Sequence, residues 1–234
     1  LITGAARRIG AMIARAAAEH GARVLLHYGH SAAEANKLVS EIRQAGGWAE
    51  TTTTDLASSD QLGNWFDDLV DQWGPIDGLV NNEAVFDPLD VHATKLPDWQ
   101  RTLDINLTAP FLLSQAFERR LPDALEGRIV NLLDWRALRP QGDHLAYTIS
   151  KAGLAALTRS LAVSMAPRIC VNGVALGAIL PPSSGDSDMD PLASVPAHRW
   201  ASPEEVTDAA LFLLACPGYI TGEILHVDGG RHLI

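Results

Sequence analysis

A glycine-rich turn between a short apolar strand and an alanine-rich helix is the feature that most constrains the fold. Leu1-Ile2-Thr3 has the composition of a strand end, Gly4-Ala5-Ala6-Arg7-Arg8-Ile9-Gly10 follows it, and Ala11–His20 has a helical pattern. Glycine lets the backbone turn sharply, and a helix N-terminus presents free N–H groups that favour an anion. The pattern is typical of a phosphate-binding turn, although an ordinary strand-to-helix turn also favours glycine.

Strand and helix patterns alternate along the remaining chain, without an internal repeat or a linker. Strands are predicted at Arg23–Tyr28, Ala49–Thr54, Ile76–Val80, Gly127–Leu133, Arg168–Val174 and Ile224–Val227. Helices are predicted between them, including Asp98–Arg120, His144–Ala166 and a last helix capped by Ser202-Pro203-Glu204-Glu205. The alternation predicts an α/β fold: one domain over residues 1–234, with a doubly wound parallel sheet of about seven strands and helices on both faces.

Charge and composition exclude several classes of function. The net charge is −10, which argues against a nucleic-acid or anionic-membrane surface. No apolar run approaches the roughly 18 residues that span a bilayer. No signal peptide is visible, and Cys170 and Cys216 lie far apart in apolar contexts, so we expect a cytoplasmic protein. The histidines show no metal-ligand spacing. Because the chain begins at Leu1 without Met, we expect missing residues upstream.

The end of the second predicted strand favours NADPH over NADH. Folds that prefer NAD place a carboxylate about 20 residues after the glycines, to bind the ribose 2′-hydroxyl. Here Tyr28-Gly29-His30-Ser31 stands at that place, and the next carboxylate is Glu34. An imidazole and a hydroxyl suit a 2′-phosphate, with Arg7 and Arg8 nearby in the first turn. Ser31 and Glu34 also match a capping box, and the two roles are compatible.

The third predicted strand ends in Asp55-Leu56, where an aspartate could meet an adenine amino group. Turn chemistry explains an aspartate there equally well.

Tyr147 and Lys151 are four residues apart in a predicted helix, which stacks them on one face a single turn apart. A phenol titrates near ~10, and a nearby ammonium favours its ionised form. We therefore expect Lys151 to lower the pKa of Tyr147 and make it a usable acid. The pair alone is weak evidence, since Tyr and Lys share this spacing on many solvated helices.

Asn106 and Pro110 interrupt the long predicted helix. Because Pro110 has no N–H, the carbonyl of Asn106 loses its partner one turn later. A free carbonyl can hold a water molecule, which we expect near Tyr147 and Lys151.

The ordered set of these motifs resembles the short-chain dehydrogenase/reductase family over essentially the whole chain. It consists of Thr3-Gly4 with Gly10, Asn81-Asn82, Asn106, Tyr147-x-x-x-Lys151 and Val227-Asp228-Gly229-Gly230. The resemblance implies that Tyr147 is the general acid, that Lys151 binds the nicotinamide ribose, and that Asn106 anchors a proton-relay water. It also implies a homotetramer.

Two departures are similar to pteridine reductases and dihydropteridine-type reductases within that family. Arg8 stands where most members have a second glycine, and Asp134 stands where most have a catalytic serine. The similarity continues in Leu26-His27-Tyr28-Gly29-His30-Ser31-Ala32-Ala33-Glu34-Ala35-Asn36 and in Phe86. A carboxylate suits the ring nitrogens and amino group of a pterin better than a hydroxyl does. Phe86 would stack on the flat ring.

The resemblance implies the following sites. Catalytic residues are Asp134, Tyr147, Lys151 and Asn106. The residues that bind NADPH are Gly4, Arg7, Arg8, Ile9, His27, Tyr28, His30, Ser31, Asp55, Leu56, Asn82, Ala84, Lys151, Gly177 and Ile179. The residues that bind a pterin or dihydropterin are Arg8, Phe86, Asp134, Tyr147 and Leu180, with a substrate loop at about residues 175–200.

Purely structural roles are also open for three of these residues: loop packing for Phe86, an exposed charge at the start of the helix for Arg8, and a strand-end cap for Asp134. Glu83, in a position where the family has a small residue, is expected to weaken cofactor binding. Ala175-Leu176-Gly177 replaces a Pro-Gly turn of the family. The alternatives to a pterin reductase are a reductase of another carbonyl or imine and a catalytically silent NADP-binding protein.

Overall fold

The computed structural model describes residues 1–180 and 192–234. Strands lie at β1 Arg23–Tyr28, β2 Trp48–Thr53, β3 Gly78–Asn81, β4 Gly127–Asp134, β5 Ile169–Leu176 and β6 Ile224–Val227. Helices lie at α1 Arg8–Glu19, α2 Ala32–Gln44, α3 Leu62–Trp73, α4 Leu96–Leu103, α5 Ala109–Arg120, α6 Leu145–Met165 and α7 Pro203–Ala215. A π-helical turn, Asp104–Thr108, joins α4 to α5.

The strands form a parallel sheet in the order β2, β1, β3, β4, β5 and β6. β1 pairs with β2 on one side, and β3, β4, β5 and β6 follow one another on the other. Ile2 bridges Leu26 of β1 and Val80 of β3, so the segment before the glycine turn lies between these strands. The doubly wound α/β fold predicted from the sequence is therefore confirmed.

Two hydrophobic cores cover the two faces of the sheet. One packs α1, α2 and α7, and the other packs α3, α5 and α6. Neighbouring strand residues divide between them: Leu26 and Val130 belong to the first core, whereas Leu25 and Ile129 belong to the second. This division follows from the strand period of two, and burial on both faces explains why the strands read as continuous apolar runs.

The long predicted helix at Asp98–Arg120 is divided in the structure. The π-helical turn lies immediately before Pro110, which cannot donate a hydrogen bond to the turn before it. The predicted capping box at Ser202 is confirmed: the Glu205 N–H donates to Ser202 Oγ, and the Ser202 N–H donates to Glu205 Oε2 at 2.7 Å. In the described ranges, no helix has the length and apolar content needed to cross a bilayer.

The substrate loop predicted at about residues 175–200 falls partly outside the described residues. Residues 175–180 end β5 and the turn that follows it, and residues 192–200 lead into α7.

Replacing Phe117 tests the second core. Its ring is fully buried and meets Phe66 edge to face, with ring centroids 6.4 Å apart. Phe117→Ala should lower the free energy of unfolding by about 3–5 kcal/mol, measured by chemical denaturation, because it leaves a large cavity. Val91→Ala is the control, since Val91 is 66% exposed in the loop between β3 and α4. Equal losses in the two variants would contradict this account of the core.

Candidate active site

A cleft of about 450 Å³ opens at the carboxyl ends of the strands. Parallel sheets of this topology bind ligands at that edge. The wall of the cleft consists of Gly4, Ala6, Arg7, Arg8, Ile9, Gly10, Tyr28, Gly29, His30, Ser31, Asn82, Glu83, Ala84, Phe86, Leu132, Leu133, Tyr147, Lys151 and Leu176. A larger cavity, of about 610 Å³, lies beside Leu1 at the amino ends of the strands, and none of the predicted site residues line it.

The glycine turn forms one wall and needs glycine at both ends. Gly4 has φ +61°, and a Cβ at Gly10 would collide with the Gly4 carbonyl and the Asn82 side chain. Asn82 holds the turn, because its Nδ2 donates to Thr3 O at 2.8 Å and to Gly4 O at 3.1 Å. The start of α1 is thereby kept close to the end of β3.

Arg8 carries strain in this turn. It is the first residue of α1, and its φ of +53° is a left-handed value that a glycine adopts without cost. The sequence difference at Arg8, where the family has glycine, therefore has a visible conformational cost. Strain of this kind persists where the side chain serves a site.

The side chains of Arg7, His30 and Ser31 line the end of the cleft next to β1. Arg7 lies 3.7 Å from Glu34, and both side chains are exposed, so this pair adds little stability. Ser31 precedes α2, but within the described ranges its side chain makes no capping hydrogen bond. The capping box predicted at Ser31 and Glu34 is therefore wrong, and the hydroxyl of Ser31 faces the cleft beside His30.

His27, a predicted cofactor-binding residue, lies inside the protein behind the glycine turn. It is only 1% exposed, Gly4 N donates to its Nδ1 at 3.2 Å, and its Nε2 lies 3.1 Å from Thr54 O. Burial lowers its pKa to about 4, so the ring is neutral. His27 supports the glycine turn from inside the protein and is not part of the cleft wall.

Tyr147 and Asp134 meet directly at the other end of the cleft. The Tyr147 hydroxyl donates to Asp134 Oδ2 at 3.0 Å, while Asp134 Oδ1 accepts from the Arg136 N–H at 2.8 Å. The second bond is the strand-end cap considered from the sequence, so Asp134 caps the short 3-10 turn Trp135–Ala137 and binds Tyr147 at the same time.

The electrostatics of Tyr147 differ from the sequence expectation. Burial and the neighbouring Asp134 raise the pKa of Tyr147 well above its usual value, with Arg136 acting weakly against them. Burial likewise raises the pKa of Asp134, against the hydrogen bonds from Arg136 and Tyr147. The expected lowering of the Tyr147 pKa by Lys151 is therefore wrong for this arrangement, because the carboxylate lies in direct contact and the ammonium does not. Tyr147 retains its proton at neutral pH.

Lys151 lies inside the protein beneath Tyr147. Its ammonium donates to Leu132 O at 2.6 Å and lies 5.7 Å from the centre of the Tyr147 ring. Burial lowers the pKa of Lys151 to about 8, whereas Asp134 and Glu83 act in the opposite direction. The lysine therefore carries its charge at neutral pH and begins to lose it in mildly alkaline solution.

Asn106 has a structural role that the sequence did not show. Its side chain brackets Val85, accepting from the backbone N–H at 2.8 Å and donating to the carbonyl at 3.0 Å. It also donates to Ser150 Oγ at 3.0 Å. This fully buried amide fastens the loop after β3 to α6, and its side chain is not part of the cleft wall.

Phe86 stands at the mouth of the cleft with 52% of its surface exposed. Its ring stacks on His144, with centroids 4.0 Å apart, and meets Tyr147 edge to face at 4.5 Å. His144 is bound through Nδ1 to Asp143 Oδ2 at 2.9 Å, and Asp143 pairs with Arg136. Packing within the loops thus accounts for one face of Phe86.

Five other predicted site residues are not part of the cleft wall: Asp55, Leu56, Gly177, Ile179 and Leu180. Asp55 is exposed and accepts from the Ala57 N–H at 3.0 Å, as the turn interpretation expected. Leu56 belongs to the second core, Ile179 belongs to the first, and Leu180 packs against the first. Gly177 packs on Asp228 and donates to Val227 O. In their place, Leu132, Leu133 and Leu176 form the floor of the cleft.

The aromatic and charged group around Phe86 was missed by sequence reasoning. Arg136, Asp143 and His144 follow β4 in an irregular segment with no periodicity. An Asp-His pair just before the Tyr147 helix was the only signal available in the sequence.

The chain is similar to known proteins over nearly its whole length. A family model described as enoyl-(acyl carrier protein) reductase matches residues 4–232. The chain is 33% identical to a 3-oxoacyl-(acyl-carrier-protein) reductase of Synechocystis sp., covering 98% of this chain and 95% of that protein. It is similar, with a TM-score of 0.90 and 33% identity over 100% of this chain and 93% of the other, to FolM alternative dihydrofolate reductase 1 from Brucella canis complexed with NADP. A blue fluorescent protein from a metagenomic library in complex with NADPH gives a TM-score of 0.90 at 32% identity, over 98% of this chain and 95% of that one.

Asp134→Asn should make Tyr147 easier to ionise. The exchange removes the negative charge that helps to keep the pKa of Tyr147 high, so its titration midpoint should move to lower pH. The chain has three tyrosines, so tyrosinate absorbance can be followed, with Tyr147→Phe identifying the contribution of Tyr147. An unchanged midpoint would show that Asp134 does not control this hydroxyl.

Arg8→Gly should stabilise the protein slightly. Relief of the left-handed conformation outweighs the greater freedom of glycine in the unfolded chain, for a net gain of about 0.5–1 kcal/mol. Arg7→Gly is the matched control, because Arg7 has an extended φ of −144° and its replacement should only destabilise. Thermal unfolding of both variants measures the difference, and equal losses would contradict the strain at Arg8.

Proposed function

Because the chain belongs to the short-chain dehydrogenase/reductase family, we propose that it is an NADPH-dependent reductase of pterins or dihydropterins. Its class as an oxidoreductase follows from the family. The substrate rests on one observation, the hydrogen bond from Tyr147 to Asp134 in a position where most of the family has serine.

NADP(H) is the cofactor, and the residues of the cleft fit it. The glycine turn and the start of α1 line the cleft and would hold a diphosphate against the backbone, in a space that the Glu83 side chain shares. Arg7, His30 and the uncapped hydroxyl of Ser31 offer donors for a 2′-phosphate at one end. Lys151 lies at the other end, where it can bind a ribose hydroxyl.

The chemistry of Asp134 favours a nitrogen heterocycle as substrate. A serine hydroxyl can orient a ketone oxygen, whereas a carboxylate accepts hydrogen bonds from ring N–H and amino groups. Asp134 is also buried enough to raise its pKa, which makes it able to hold a proton that Tyr147 later needs.

The proposed reaction assigns a role to each of the main side chains of the cleft. Bound NADPH supplies a hydride. Tyr147, which retains its proton at neutral pH, donates that proton to the substrate nitrogen. The Asp134 carboxylate orients the hydroxyl and, after the transfer, passes to it a proton taken from solvent, while the Lys151 ammonium balances the charge that forms on Tyr147. The exposed face of Phe86 stacks on the flat ring, and Arg8 binds a substrate oxygen or a cofactor phosphate.

A homotetramer is part of the proposal. The exposed apolar side chains Phe111 on α5, with Ile149 and Val163 on α6, support burial of these helices between subunits.

A second candidate is reduction of a 3-oxoacyl thioester. Relatives 33% and 34% identical, from Synechocystis sp. and Aquifex aeolicus, are named 3-oxoacyl-(acyl-carrier-protein) reductases. The same Tyr147 and Lys151 would serve a ketone, with Asp134 binding Tyr147 alone.

A substrate panel with two variants tests the proposal. NADPH oxidation is followed with dihydrobiopterin, dihydromonapterin, dihydrofolate and a 3-oxoacyl thioester. We expect turnover of at least one pterin, a loss of about 10²–10⁴-fold in kcat for Tyr147→Phe because the proton donor is gone, and a loss confined to pterins for Asp134→Ser.

Two results would contradict the proposal. Turnover of the thioester without any pterin would establish the second candidate. NADPH binding without turnover of any compound, unaltered by Tyr147→Phe, would indicate a catalytically silent NADP-binding protein.

A further inference from the structure

Glu83 places a carboxylate inside the cofactor cleft. It follows Asn82 at the end of β3, and its backbone N–H donates to Thr3 Oγ1 at 3.0 Å. Its carboxylate lies directly over Gly4, since a Cβ added at Gly4 would collide with Glu83 Oε2. The side chain thus covers the backbone that the proposed function assigns to a diphosphate.

Charged and titratable groups from the neighbouring elements line the cleft with Glu83. The glycine turn and the start of α1 contribute Arg7 and Arg8. The end of β1 and the loop after it contribute Tyr28 and His30, and α6 contributes Tyr147 and Lys151. Asp134 lies behind Tyr147 at the end of β4. Arg7, His30 and Lys151 each act to lower the pKa of Glu83, yet burial outweighs them and raises it.

Glu83 lies between groups at the two ends of the cleft that a dinucleotide would span. Arg7 and His30 lie toward the 2′-phosphate end, and Lys151 lies at the nicotinamide end. A cofactor that spans the two ends passes over Gly4, and NADPH brings its diphosphate and 2′-phosphate charges into this space. The cations that now balance Glu83 are the same groups that would bind the cofactor.

We propose that Glu83 takes up a proton when NADPH binds, and that it thereby sets how tightly this chain holds its cofactor. This inference rests on the proposed function only in its choice of NADPH. The neutral carboxylic acid removes the repulsion from the phosphates, and it can donate a hydrogen bond to a cofactor oxygen.

The direction of the pH dependence follows. Below the pKa that Glu83 has in the free protein, the group is already neutral and costs nothing on binding. Above it, each increase of one pH unit should weaken NADPH binding by up to about tenfold, until the pKa of the complex is reached. Lys151 also takes up protons on binding, but only near and above its own pKa of about 8.

Titration calorimetry of the full chain with NADPH tests the inference. Runs at pH 6 and 7, each in two buffers of different ionisation enthalpy, count the protons taken up while Lys151 stays charged. Glu83→Gln mimics the neutral acid with almost the same shape, and Glu83→Ala removes the group. Glu19→Gln is the matched control, because Glu19 is an exposed carboxylate at the last residue of α1. It lies roughly 16 Å from the start of that helix, given the helical rise per residue.

The inference expects Glu83→Gln to bind NADPH about tenfold more tightly at pH 7 and to take up fewer protons, by as much as one per NADPH. Glu83→Ala should lose the same protons, and Glu19→Gln should match the unsubstituted chain. Equal affinity and proton uptake in all four proteins would overturn the role of Glu83 and leave the proposed function intact. Absence of NADPH binding in all four would overturn both.

Discussion

The hydrogen bond between the Tyr147 hydroxyl and the Asp134 carboxylate is the interaction on which the site depends. It joins the end of β4 to the first turn of α6, and both groups sit where burial opposes their ionisation. The proton stays on the phenol, because burial and the Asp134 charge both oppose the tyrosinate form.

Lys151 supplies a buried positive charge to the site, beneath Tyr147. Its ammonium is held by the Leu132 carbonyl and lies within reach of the fields of Asp134 and Glu83. The two carboxylates offset part of the cost of burying this ammonium, which is how buried charges are tolerated. An anionic cofactor changes the field on the same groups, so we expect cofactor affinity and protonation to be coupled.

Polar side chains that bind backbone groups hold the surroundings of the cleft in place. His27 supports Gly4, Asn82 closes the glycine turn, and Asn106 fastens the Val85 backbone to α6. Each satisfies buried backbone groups that would otherwise cost about 1–3 kcal/mol. Arg8 is the exception, because it accepts backbone strain within the same turn.

The sequence alone determined the order of strands and helices, the glycine turn, and the spacing of Tyr147 and Lys151, because these depend on local periodicity and on backbone conformation. It also predicted the family and the place of Asp134. Only the tertiary structure decided that Asp134 outweighs Lys151 at the tyrosine, that His27 is internal, and that Glu83 covers Gly4. Those outcomes depend on distances between residues far apart in the chain and on the loss of water around them, and neither quantity is encoded in a local pattern.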